Sequence, residues 1–241
     1  MRALPVVTAC VLALAGCGGD EVARNAPAVN LVLPTHRADP PVPTNLPDIV
    51  PVRIETELGG ITVALDHKHA PVTVTNFIRY VDDHRFDGTV FYRASRTPGA
   101  PNHGFVQGGI QHSYRLMLPP IRLEPTTETG LLHRDGTISM ARSTPDTAMG
   151  DFTISVGPNP GLDAHPDRPG DNRGYASFGQ VTEGMDVVRR ILARPTVAQE
   201  GRGPMAGQRI EAPVRIISIR RAGLAAPRRA VDRRGGGPRH R

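Results

Sequence analysis

The stretch VRIETELGGITVALDHKHAPVTVTNFIRYV runs from Val52 to Val81 and changes period halfway along. Val52, Ile54, Thr56 and Leu58 alternate with their neighbours, Gly59-Gly60 interrupts, and Ile61, Val63 and Leu65 alternate again. Strand side chains point to opposite faces in turn, so the pattern predicts two half-buried strands joined as a hairpin. From His67 to Asp82 the spacing turns helical. Val74, Phe77, Ile78 and Val81 share a face, and Pro71 suits a first turn, where a missing N–H is no loss.

Working outward, Asp87-Gly88 is a turn into a short strand, Thr89–Arg93. Further strands are expected at Thr137–Ala141, Phe152–Val156, Tyr175–Val181 and Val214–Ile219, with a second helix at Met185–Leu192 before Pro195. Ser95–His103, SRTPGAPNH, reads as a loop. Many short strands with one early and one late helix predict a mainly β closed barrel covered by helices.

The chain has 241 residues, enough for one good-sized domain with tails. Its 26 Gly and 24 Pro imply many turns. The two cysteines, Cys10 and Cys17, lie at the start, so the fold is expected to stand without disulfides. Net charge is +6, but from Arg220 onward eight arginines meet one acid, Asp232, a balance of +7 that leaves −1 for the rest. A near-neutral domain has no electrostatic footprint for nucleic acid, so none is expected as a partner. The basic tail, residues 222–241, reads as disordered and solvated, with some attraction to an anionic membrane. His67 and His69 are spaced as a metal pair but lack a third ligand nearby, so no metal is expected.

MRALPVVTACVLALAG, residues 1–16, sets Arg2 ahead of an apolar run too short to span a bilayer as an ordinary helix, the layout of a secretory signal. Its end, Leu14-Ala15-Gly16-Cys17, resembles the bacterial lipoprotein box, in which cleavage precedes the cysteine and the cysteine is lipidated. An ordinary signal peptide that contains a cysteine is the other reading. The resemblance implies lipidation at Cys17 and a domain anchored in the bacterial cell envelope, facing the periplasm. More than one acyl chain makes such anchoring stable. Residues 17–50 carry six prolines, from Pro27 to Pro47, and read as a disordered tether. Residues 51–221 remain for the folded domain.

Four motifs in order carry a further resemblance. ELGGITVALDHKHAPVTVTNFIRYV (Glu57–Val81), Phe91-Tyr92-Arg93 with Gln107-Gly108-Gly109, GTISMAR (Gly136–Arg142) and FGQVTEGMDVV (Phe178–Val188) together resemble the cyclophilins, a family of peptidyl-prolyl isomerases. The resemblance implies an eight-stranded antiparallel closed β-barrel capped by two α-helices, and cis/trans isomerisation of the bond before proline. Such a reaction needs no cofactor, metal or covalent intermediate. As the amide twists, its nitrogen gains a lone pair, and a donor aimed there stabilises the twisted state over both planar ones. The resemblance makes Arg93 that donor and Gln107 the group that orients it and the substrate. Arginine suits the task because its guanidinium stays protonated and presents several fixed donors. The implied partners are proline-containing polypeptides, bound by a monomer.

Candidate substrate-binding residues are Phe91 and Phe105 beside the catalytic pair, with Ala141, Leu162 and Tyr175. Three more depart from the family's pattern. Thr153 stands where the family has the phenylalanine that floors its proline pocket, Asp151 replaces a backbone-binding glutamine, and Arg142 replaces an asparagine. Threonine removes apolar area that would grip a proline ring. Asp151 is a candidate ion-pair partner that would hold Arg93. Two functional readings follow. One is an envelope peptidyl-prolyl isomerase that assists the folding of exported proteins. The other is a catalytically weak or inactive cyclophilin-like module that binds proline-containing segments.

Overall fold

The computed structural model describes residues 41–198 and 203–223. The expected signal peptide, Cys17, the expected tether up to residue 40 and the basic tail from residue 224 lie outside the described residues. Among the described residues there are eight strands: β1 (Ile49–Thr56), β2 (Gly59–Asp66), β3 (Val90–Thr97), β4 (Ala100–Gly109), β5 (Thr137–Met140), β6 (Asp151–Val156), β7 (Ser177–Glu183) and β8 (Arg209–Arg221). Three α-helices accompany them: α1 (Pro71–Asp82), α2 (Thr126–Thr129) and α3 (Met185–Leu192). The strands close into one barrel in the order β1-β2-β7-β5-β6-β4-β3-β8, every pair antiparallel.

The alternation read from the sequence explains the closure. Val52 and Ile54 of β1 point inward opposite Val63 and Ile61 of β2, and Ile219 of β8 meets Ile54 from the other side. An inward apolar row on each strand is buried once the last strand returns to the first, and closure leaves no edge to pair elsewhere. The interior is aromatic beneath α1. The Phe77 ring lies 5.0 Å from Phe86, 5.5 Å from Phe152 and 5.2 Å from Phe178, centre to centre. Tilted and edge-on contacts of this kind each contribute about 0.5–1.5 kcal/mol beyond area burial.

Pro71 opens α1, and no side chain of the helix caps it. The buried carboxylate of Glu124 does so instead. It accepts from Val72 N at 3.0 Å, Thr73 N at 2.8 Å and Thr73 Oγ1 at 2.6 Å. An anion there satisfies orphan N–H groups and complements the helix dipole.

Ser95–His103 is not a loop. It is the outer half of a β3–β4 hairpin that turns at Pro98-Gly99. The register slips between Arg96 and Thr97. Gly104, at φ 138°, sits so close to Ser95 O that a Cβ would lie 1.9 Å from it. The glycines and prolines that signal a loop here serve a tight turn and a bulge within strands. Helix α2 gives no periodic signal, being one turn between Pro125 and left-handed Gly130.

Candidate active site

The pairing of β3 with β4 sets the site. Phe91 lies opposite Gly108 and Arg93 opposite Gln107, so Tyr92 is an extra residue in the ladder. Such a bulge re-aims side chains. Phe91 turns into the barrel, whereas Tyr92 and Arg93 both reach the Gln107 side chain on the outer face. Gly108 leaves room for the Phe91 ring, whose Cδ1 would lie 2.8 Å from any Cβ. Gly109, at φ 127°, lets β6 approach: a Cβ there would stand 2.3 Å from Gly150 O. These two glycines explain why the glutamine is followed by residues without side chains.

Arg93 is held on two of its nitrogens. Nη1 donates to Gln107 Oε1 at 2.9 Å, and Nε donates to Gln208 Oε1 at 2.8 Å. Its Cζ lies 5.0 Å from the centre of the Phe105 ring, within cation–π range. Burial lowers the guanidinium's pKa, opposed by Tyr92 and Tyr175. An arginine starts so high that it remains a cation.

Next in line, Gln107 Nε2 donates to Tyr92 Oη at 2.7 Å, and Tyr92 Oη donates to Asp151 Oδ1 at 3.2 Å. Gln111 N donates to the same carboxylate oxygen at 2.9 Å, and His112 Nδ1 lies 3.8 Å from Oδ2. Burial raises the Asp151 pKa, against the pull of those donors. Burial and the nearby carboxylate push the Tyr92 hydroxyl far up, so it keeps its proton.

Asp151 therefore does not form the expected ion pair with Arg93. The β6 register places Asp151 opposite Gly109 and Thr153 opposite Gln107, and the Tyr92 hydroxyl joins the carboxylate to the Gln107 amide. Phe91, expected to touch substrate, is fully buried and meets Phe152 edge-on at 5.7 Å inside the barrel. Arg142 borders the cavity, but its guanidinium is engaged by Asp171 at 2.7 Å and Gly174 O at 2.9 Å, and it stacks on Tyr175 at 4.9 Å.

A cavity of 310 Å³ brings the other candidates together. Arg93, Gln107 and Phe105 form one wall, Thr153 and Asp151 the floor, and Ala141, Leu162 and Tyr175 the far side. The Thr153 hydroxyl is closed against Ser139 Oγ at 2.8 Å. His112, Ser143 and Met205 also line the cavity, and Gln208 braces Arg93 from outside it. No motif marks Gln208 or Met205; only the return of the chain before β8 brings them here. A larger hollow of 650 Å³ lies between the hairpin tip and α3. Its charges are occupied with one another or with backbone: Arg96 with Leu192 O and Arg194 O, Arg189 with Asp135. The chemistry therefore belongs to the smaller cavity.

Comparison with known proteins agrees with this geometry. Residues 51–221 match the family model of the cyclophilin type peptidyl-prolyl cis-trans isomerases. A peptidyl-prolyl cis-trans isomerase of Acinetobacter baylyi is 34% identical over 169 residues, which are 70% of this chain and 83% of that one. Peptidyl-prolyl cis-trans isomerase A of Dickeya dadantii is 41% identical over 144 residues, 58% of this chain and 70% of that one. Among solved structures, a cyclophilin type isomerase of Cryptosporidium parvum superposes with a TM-score of 0.57 at 19% identity, covering 73% of this chain and 98% of its own. The last likeness is one of fold. The same barrel, the arginine–glutamine pair on its outer face and a family match across the whole folded domain lead to one assignment: the chain belongs to the cyclophilin-type peptidyl-prolyl cis-trans isomerase family.

Proposed function

We propose that this chain is an envelope-anchored peptidyl-prolyl isomerase that assists the folding of exported proteins. One observation carries the reading. Arg93 is a cation fixed through two nitrogens, over an aromatic ring, in the wall of a cavity. A planar X–Pro amide keeps its nitrogen lone pair in conjugation. Twisting frees that pair, and the guanidinium then gains a hydrogen bond that neither planar isomer offers. A charge-assisted bond in a water-poor cavity is strong, and each factor of ten in rate needs only about 1.4 kcal/mol. No covalent bond is made or broken. Phe105, Ala141, Leu162 and Tyr175 supply the apolar area for the proline ring, and Thr153 leaves that area small on the floor.

The binding-only reading rested on Thr153, Asp151 and the long Ser95–His103 stretch, and Asp151 does not hold Arg93. The carboxylate takes its bonds from Tyr92 and Gln111 instead, which favours turnover. Proline-containing polypeptides are the substrates of this reading, and the barrel acts as a monomer. The envelope address is supported by residues 1–17 alone. Exchange NMR of a proline-containing peptide with the full-length chain tests the chemistry. Acceleration lost in Arg93→Ala is expected, and no acceleration at concentrations where the peptide binds would return the binding-only reading. Fractionation of cells expressing Cys17→Ser tests the address. Release from the membrane fraction is expected; unchanged retention would refute anchoring at that residue.

A further inference from the structure

Resting on the isomerase reading, the site contains a device beyond the arginine–glutamine pair. Arg93, Gln107, Tyr92 and Asp151 form one unbroken chain of hydrogen bonds, with successive distances of 2.9, 2.7 and 3.2 Å. Its direction is forced. A guanidinium only donates, so Gln107 must present its oxygen to Arg93 and its amide nitrogen to Tyr92. The tyrosine oxygen, accepting from that nitrogen, must send its own proton onward. Asp151, ionised, only accepts, and ends the chain. Gln208 grips the same guanidinium from the opposite side, through Nε. Its backbone is fixed as well, since Gln208 O accepts from Ala94 N at 2.9 Å.

We infer that Tyr92, Asp151 and Gln208 are positioning residues. The carboxylate sets the direction of the tyrosine hydroxyl, the hydroxyl sets the amide rotamer of Gln107, and the two glutamines clamp the plane of the Arg93 guanidinium. A transition-state donor is effective in proportion to how well its orientation is fixed before the substrate twists. Asp151 thus acts through two intermediaries and not by touching the proline. Protonation of Asp151 on Oδ2, the oxygen that neither Tyr92 nor Gln111 uses, would leave Oδ1 an acceptor without its charge and weaken its hold on the hydroxyl, so the fixing of Arg93 loosens in acid. The groups facing Asp151 are Tyr92 from β3, Tyr80 from α1, and Gln111 N with His112 after β4. The His112 ring is 64% exposed.

The test joins a turnover readout with one that does not need turnover, both on the full-length chain. Side-chain NMR would follow rotation of the Arg93 guanidinium about its Nε–Cζ bond, alongside kcat and KM. Tyr92→Phe keeps the ring and removes the link. It is expected to speed that rotation and to lower kcat by about tenfold, the worth of one hydrogen bond, with KM within about twofold. Asp151→Asn and Gln208→Ala should act the same way, so the inference does not depend on one variant folding. In an Arg93→Ala background, Tyr92→Phe should have no further effect, because neighbours acting through one group are not additive. The acid limb of the kcat profile should survive His112→Gln and vanish in Asp151→Asn. Unchanged guanidinium rotation in both Tyr92→Phe and Gln208→Ala would overturn the inference. If rotation responds but the unmutated chain shows no isomerisation, the clamp stands and the isomerase reading falls.

Discussion

On the β3–β4 wall of the cavity, Arg93 is gripped by Gln107 and Gln208 and lies over Phe105. On the β6 floor, Thr153 is closed against Ser139, and Asp151 is closed against Tyr92 and Gln111. Both surfaces are polar and well bonded, yet the bonds do different things. Those of the wall orient one donor. That of Thr153 closes its hydroxyl and leaves little apolar area on the floor for a substrate to bury. The difference separates rate from grip: the wall, with Asp151 at the end of its hydrogen-bond chain, should govern kcat, and Thr153 on the floor KM. The barrel interior behind them follows a third rule, with Phe77, Phe86, Phe91, Phe152 and Phe178 sharing their contacts.

The most severe way to break this comparison is Arg93→Lys. Lysine keeps the charge and loses the planar fork that both glutamines hold. If orientation is what the wall provides, kcat should drop on the order of a hundredfold, as for loss of one fixed transition-state donor. A lysine variant within about threefold of the parent would mean that charge alone suffices, since threefold is well under 1 kcal/mol.

A smaller effect is expected at Arg142, which ties the far side of the cavity together. Its guanidinium joins Asp171 to Gly174 O and stacks on Tyr175. Arg142→Met keeps the stem and loses those bonds. Stability should fall by about 2 kcal/mol, the usual worth of hydrogen bonds to a charged group, read as a lowered urea midpoint. KM should rise as Tyr175 loses its support. A rise in KM with an unmoved midpoint would instead make Arg142 a direct substrate contact.

The floor can be sharpened by Thr153→Phe, which adds apolar area at the bottom of the cavity. Burying a further ~40 Å² against a proline ring at ~25 cal/mol per Å² gives about 1 kcal/mol, or roughly fivefold in KM. The kcat should stay nearly level, because the wall is untouched. Ser139 loses its partner, so some stability is lost with the gain in affinity. A change confined to kcat would dissolve the division between wall and floor.

How much of this was legible in the sequence depends on the distance over which the signal acts. The alternation of Val52–Leu65 and the face of Val74–Val81 are local consequences of pleat and pitch, and the structure places hairpin and helix there. Arg93 and Gln107 were readable as a motif, and the ladder pairs them directly. Phe91 lies inside the barrel, although strand parity would put residues i and i+2, Phe91 and Arg93, on one face. The Tyr92 bulge breaks that parity, and a bulge depends on the partner strand. Gln208 lies 115 residues from Arg93, so nothing local ties the two together. The Asp151 ion pair failed for a similar reason: register along β6, not residue type, decides what the carboxylate meets.

The smallest expected effect lies behind the far side and appears only in mild acid. His133 is buried, and its Nδ1 lies 2.7 Å from Asp163 Oδ1, beside the Leu162 turn that lines the cavity. Burial lowers the imidazole's pKa below its ordinary 6.5, and the Asp163 carboxylate opposes but does not cancel that shift. The sign follows directly. Below pH 6.5 the unfolded chain binds a proton that the folded chain refuses, so stability is full above that pH and declines as pH falls through and below it. Between pH 7 and pH 6 a single such group removes at most about 0.7 kcal/mol. His133→Asn keeps a donor near the Nδ1 position and has no proton to take up. Its stability should therefore fall less steeply than the parent's across this range, with the other histidines common to both. Parallel denaturation midpoints from pH 7 to pH 5 would show that the folded chain takes up the proton as readily as the unfolded one. The Leu162 turn would then carry a charged histidine–aspartate pair, and the far side of the cavity would hold its shape in acid.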